Sequence, residues 1–114
     1  SGVPYAEMTA DHMVLCDLEG RPHDNRLNPS SDLETHLVLY RAFPGIGAVI
    51  HTHSLHATAL SCLRQDIPPF HYMIAVAGGT TLRCADYATF GTKALSRAIS
   101  SLYVASPGCL PCWK

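Results

Sequence analysis

The sequence has no surplus of charge of either sign. Eight Lys and Arg stand against nine Asp and Glu, a formal net charge of -1, so there is no basic field to grip a nucleic-acid backbone or an anionic membrane. No apolar run approaches the length needed to cross a bilayer, and the N-terminus lacks the basic and apolar regions of a secretory signal. The expected address is cytoplasmic. A disulfide framework is missing too: the five cysteines are odd in number, and Cys16, Cys62 and Cys84 are scattered singly. Cys109 and Cys112 form a C-x-x-C, but no second pair or downstream histidine accompanies them, which makes half a zinc site at most. Internal repeats and low-complexity tracts are absent. What remains is 114 residues with 47% hydrophobic content, enough for the core of one compact domain.

Turn and cap residues divide the chain into short elements. Thr9 is placed to cap a turn through Ala10, Asp11 and His12, and Met13-Val14-Leu15-Cys16 reads as a buried strand. Asp17 to Gly20 supply turn residues, and Arg21 to Leu27 read as an edge strand and loop. Asn28-Pro29-Ser30-Ser31 opens the clearest helix. Ser31 as N-cap with Glu34 as its reciprocal partner predicts a capping box, and Leu33, His36, Leu37 and Tyr40 share one face. This helix is expected to end near Phe43-Pro44. A strand follows through His53, then a helix from Ser54 to about Leu63, a strand over Tyr72-Met73-Ile74-Ala75-Val76, and a short strand over residues 81–85. Thr92 caps a last helix with an apolar stripe of Leu95, Ala98, Ile99 and Leu102.

Chemistry concentrates around Ala48-Val49-Ile50-His51-Thr52-His53-Ser54. Side chains alternate along a strand, so His51 and His53 point to one side, where two imidazoles can share a metal ion. A hydrogen-bonded or solvated pair has the same spacing, so spacing alone leaves both readings open. Catalytic zinc generally takes three protein ligands. The nearest acids, Asp32 and Glu34, also suit the first turn of a helix for its dipole, and His56 suits an exposed helix surface. Pro29-Ser30-Ser31 at a helix start offers hydroxyls and amides to a phosphate, or simply a cap. Tyr72 beside His71 is either a proton donor or a packing residue.

Taken together, Ser1-Gly2-Val3-Pro4-Tyr5, Pro29-Ser30-Ser31-Asp32, His51-Thr52-His53-Ser54, Ile67-Pro68-Pro69-Phe70-His71-Tyr72-Met73 and Tyr87-Ala88-Thr89-Phe90-Gly91-Thr92 occur in a familiar order. The chain resembles the class II aldolase/adducin family from Ser1 to about Leu102, most of all its L-fuculose-phosphate aldolase branch. The resemblance implies an α/β fold, a layered sandwich around a mainly antiparallel sheet. It implies that His51 and His53 bind zinc, that Asp32 is the catalytic base, and that Ser1, Gly2, Ser30 and Ser31 bind substrate phosphate. Tyr72 would reach a neighbouring subunit's site in a homotetramer. The implied reaction is reversible aldol cleavage of a ketose 1-phosphate, such as L-fuculose 1-phosphate, to dihydroxyacetone phosphate and an aldehyde. A sugar-phosphate epimerase or dehydratase, and a non-catalytic adducin-like module or remnant, are the alternatives.

The sequence departs from the family pattern in three respects. The base is normally glutamate, and Asp32 is one methylene shorter. The family's early glycine-asparagine phosphate loop and its third zinc histidine have no counterpart in the sequence. A partial domain is therefore expected over residues 1–103, truncated at both ends and followed by an aberrant tail over 104–114. A reading-frame slip is the hypothesis for that tail.

Overall fold

The computed structural model describes residues 2–105. Ser1, the Cys109/Cys112 pair and residues 106–114 of the expected tail lie outside them. The described residues form three α-helices, α1 (Leu33–Ala42), α2 (Leu55–Cys62) and α3 (Lys93–Ala105), of which α1 and α3 carry the core. Single 3-10 turns form at Tyr5–Glu7 and Ala10–His12, and a longer one at Tyr72–Ala77. Helix α3 runs through Ala105, into the first two residues of the expected tail.

Helices α1 and α3 pack against each other. Leu39, Leu95 and Ile99 are buried at their junction, and Val38, Phe43, Val49, Ala88 and Tyr103 close around them. Phe43 and Tyr103 meet edge to face with centroids 5.6 Å apart, a favoured aromatic geometry. The α3 stripe is as expected, with Ile99 at 0% exposure. So is its cap: the Thr92 hydroxyl accepts from the Leu95 amide at 3.3 Å. Helix α1 is apolar on two sides. Leu39, absent from the expected face, turns to α3, while Leu33, His36, Leu37 and Tyr40 line a cleft against the N-terminal segment.

The predicted capping box on α1 does not form. The N-cap is Asp32, which makes no side-chain cap hydrogen bond, and Glu34 pairs with Arg41 at 3.0 Å instead. Arg41 also donates to the Leu18 carbonyl, so Glu34 joins a charge-assisted link between α1 and the preceding turn. That turn is held by Asp17, whose carboxylate accepts from the Glu19 and Arg21 amides and from the Arg21 guanidinium. Gly20 closes it at φ 84° against Leu37.

The expected sheet is the main difference. Among the described residues, strand pairing amounts to two isolated antiparallel bridges, Cys16 with Pro22 and Ile67 with Leu82. Residues 13–16 are not a buried strand, since Met13 and Leu15 are largely exposed. Tyr72–Ala77 is a 3-10 helix rather than a strand. Its ends explain the change: the His71 ring nitrogen accepts from the Met73 amide at 3.2 Å, and Gly78 caps the other end at φ 85°.

Candidate functional site

Three of the sequence-predicted residues line one cavity. It encloses about 410 Å³ and is walled by Asp32, His51, Thr52, His53, Thr58, Tyr87, Ala88, Phe90 and Leu95. Asp32 arrives at the start of α1. The two histidines come from the segment between α1 and α2, and the apolar wall comes from the approach to α3.

The rings of His51 and His53 stand side by side, centroids 4.7 Å apart and 15° from parallel. The two-residue spacing thus sends both imidazoles to one side, although no strand ladder holds the segment. Burial pushes the His51 pKa below its usual value. The Asp32 carboxylate opposes that shift, and His53 and His36 reinforce it. Burial disfavours the imidazolium, so the ring keeps its lone pair, as a ligand or hydrogen-bond acceptor requires. Two imidazoles opening into one cavity suit a borderline-soft cation such as zinc. Among the described residues, however, no group of three His, Cys, Asp or Glu side chains is placed to hold a metal ion. The pair is a partial donor set.

The predicted phosphate residues lie elsewhere. Gly2 and Ser30 line a second cavity of about 680 Å³ with Pro29, His12 and His36. The Ser30 hydroxyl there accepts from the Asp32 amide at 3.2 Å. Ser31 is exposed and is not part of either wall; its carbonyl backs against Gly91, where a Cβ would meet it at 3.3 Å. Tyr72 is 79% exposed and outside the His51/His53 cavity, with its ring 4.4 Å from that of His71. His56 is exposed on α2, as its spacing suggests.

Thr58, Tyr87 and Phe90 are cavity residues to which the sequence alone attached no role. Thr58 lies one turn into α2, its amide bonded to the Ser54 carbonyl at 2.8 Å. Tyr87 and Phe90 sit in the Tyr87-Ala88-Thr89-Phe90-Gly91-Thr92 motif, which was the available signal.

Residues 1–110 match the Class II Aldolase and Adducin N-terminal domain. The chain belongs to this family. Among its relatives, L-fuculose phosphate aldolase of Escherichia coli (strain K12) is 44% identical over 100 residues, 88% of this chain and 46% of the relative. A 5-methylthioribulose-1-phosphate/5-deoxyribulose-1-phosphate aldolase of Rhodospirillum rubrum is 41% identical over 110 residues, 96% of this chain and 49% of the relative. The solved structure of an L-fuculose 1-phosphate aldolase superimposes with a TM-score of 0.81 at 42% identity, covering 86% of this chain and 46% of that one. The chain therefore spans about half the length of the relatives it matches. No helix among its described residues is long and apolar enough to cross a membrane.

Proposed function

We propose that this chain carries the acid and histidine centre of a zinc-dependent class II aldolase, which reversibly cleaves a ketose 1-phosphate such as L-fuculose 1-phosphate. The products would be dihydroxyacetone phosphate and an aldehyde. One observation carries the reading: Asp32, His51 and His53 open into the same cavity. His51 and His53 would hold the zinc, with a further ligand from outside the described residues. When bound, the ion supplies Lewis-acid polarisation of the substrate carbonyl and hydroxyl oxygens.

The protein's own groups do the rest. In the condensation direction, the Asp32 carboxylate takes a proton from the carbon of dihydroxyacetone phosphate that becomes the nucleophile; in cleavage it returns that proton. Its side chain is available for this because it makes no helix-cap hydrogen bond. Ser1, Gly2, Ser30 and Ser31 would hold the phosphate, so that remote binding orients the reacting carbons. Tyr72, projecting into solvent, would serve a neighbouring subunit's site in a homotetramer. Sugar phosphates are cytoplasmic metabolites, and the odd, scattered cysteines suit that compartment.

A second substrate reading has its own support. Ala88, Phe90 and Leu95 give the cavity an apolar wall, which favours an aldehyde half with no hydroxyl at all over the hydroxyl-bearing, methyl-ended half of L-fuculose 1-phosphate. A 5-deoxyribulose or 5-methylthioribulose 1-phosphate fits that chemistry.

The test is a coupled assay for dihydroxyacetone phosphate release, run with L-fuculose 1-phosphate and 5-deoxyribulose 1-phosphate, with and without a chelator. Release that stops on chelation, and in His51→Ala, supports the aldolase. A zinc-loaded chain that releases nothing from either substrate overturns it.

A further inference from the structure

Cys62 and Cys84 stand 22 positions apart in the sequence, yet the fold brings them to the same place. Helix α2 ends at Cys62, and the chain then turns back through Arg64, whose φ of 56° is left-handed. The returning segment is tied to the one that carries Cys84. The Ile67 and Leu82 amides each donate to the other's carbonyl, at 2.9 and 3.1 Å, and the Asp66 carboxylate accepts from the Cys84 amide at 2.6 Å. These bonds set the Cys84 thiol at the end of α2, where it donates to the Ser61 carbonyl with the sulfur 3.9 Å from the oxygen. That carbonyl belongs to the peptide unit leading into Cys62. Peptide geometry puts the Cys62 Cα about 2.8 Å from the same oxygen, and so within about 7 Å of the Cys84 sulfur. Disulfides join cysteines whose Cα atoms stand about 4.4–6.8 Å apart, so rotation of the Cys62 side chain and a small shift of the helix end suffice to close one.

We propose that Cys62 and Cys84 form a reversible disulfide under oxidising conditions. Cys62 is exposed and opens with Ser61, Arg64, Ala85 and Tyr87 onto a small pocket of about 170 Å³, so a soluble oxidant reaches it first; Cys84 is half-buried. With glutathione disulfide as the oxidant, the Cys62 thiolate attacks one of its sulfurs, which forms a mixed disulfide and releases one glutathione thiolate. The Cys84 thiol gives its proton to solvent, and its sulfur displaces the second glutathione from Cys62. Two protein thiols thus lose two electrons, one glutathione disulfide is reduced to two thiols, and excess reduced glutathione drives both steps backwards. The oxidised chain is tied across two walls of the His51/His53 cavity. Thr58 stands one turn before Cys62 on α2, and Tyr87, three residues after Cys84, lines both that cavity and the small pocket. The disulfide forms whether or not the cavity cleaves a sugar phosphate, and in a reducing compartment it opens and closes with the glutathione poise.

The experiment equilibrates the 114-residue chain in glutathione buffers of graded oxidising strength, both in native buffer and in denaturing urea. Remaining thiols are blocked with N-ethylmaleimide and the linked peptides are mapped by mass spectrometry. The expected result is a Cys62/Cys84 link as the main disulfide of the native chain, formed at a glutathione ratio at least about tenfold less oxidising than in urea. Closing that loop restricts the unfolded chain, so oxidation should raise the Tm by about 10 °C, and should not do so in Cys62→Ser, a change at an exposed position. A Cys109→Ser/Cys112→Ser chain should form the same link. Cys62 found mainly as a mixed disulfide with glutathione, joined to Cys16, Cys109, Cys112 or a second chain, or joined to Cys84 no more readily in native buffer than in urea, overturns the proposal.

Discussion

Lengthening Asp32 by one methylene, in Asp32→Glu, separates the geometry of the acid from its chemistry. The residue is half-buried at the start of α1, and its carboxylate makes no bond to the helix amides. The helix therefore loses no cap bond, and stability should change by less than about 0.5 kcal/mol. Its cavity, about 410 Å³ in volume, has room for the extra carbon. If the shorter acid sits about 1 Å short of the proton it must move, restoring the reach is worth up to about 100-fold in rate. The expected outcome is a kcat for retro-aldol cleavage raised by about 10- to 100-fold with zinc content unchanged, measured by coupled assay and metal analysis. An unchanged or lower kcat at equal zinc content would refute the argument from reach.

Other outcomes follow from packing and titration. Gly20→Ala should cost about 2 kcal/mol in urea denaturation, because the left-handed backbone at φ 84° penalises a side chain and the new Cβ would meet Leu37 at 3.0 Å. Ile99→Ala, at 0% exposure between α1 and α3, should cost about 2–5 kcal/mol in the same assay. Burial lowers the folded-state pKa of His51 below 6.5, so in metal-free buffer the unfolded chain takes up this proton first as pH falls. Its contribution to stability is full above pH 6.5 and is lost below it. Urea midpoints measured from pH 7.5 to 5 should therefore fall less steeply in His51→Gln than in the parent chain.

The elements legible in the sequence are those whose signals are local. Thr92 and the Leu95, Ala98, Ile99, Leu102 stripe define α3 within a few residues of chain, and the structure follows them. Ser54 and the Ala/Leu-rich run after it likewise mark α2. Reading failed where a distant group intervenes. Glu34 looks like a capping-box partner until Arg41, two turns along, takes it. Tyr72-Met73-Ile74-Ala75-Val76 has strand composition, but the His71 side chain and Gly78 close it into a 3-10 turn. Leu39 was missed because α1 packs on two sides, and a search for one apolar face finds only one.

The site divides in the same way. The close approach of His51 to His53 was readable, since alternation alone sends both rings to one side. That Asp32 joins their cavity while Gly2 and Ser30 face a different one depends on how the Pro29-to-Asp32 segment crosses the molecule. Spacing carries no such information.

The most direct measurement is the zinc bound per chain in the purified 114-residue protein and in its His51→Ala/His53→Ala and Asp32→Asn variants. Close to one equivalent in the parent and in Asp32→Asn, with none in the double histidine variant, is the result predicted for an imidazole pair that holds metal beside a separate acid. Less than about a tenth of an equivalent in the parent, or equal zinc in all three proteins, would contradict it.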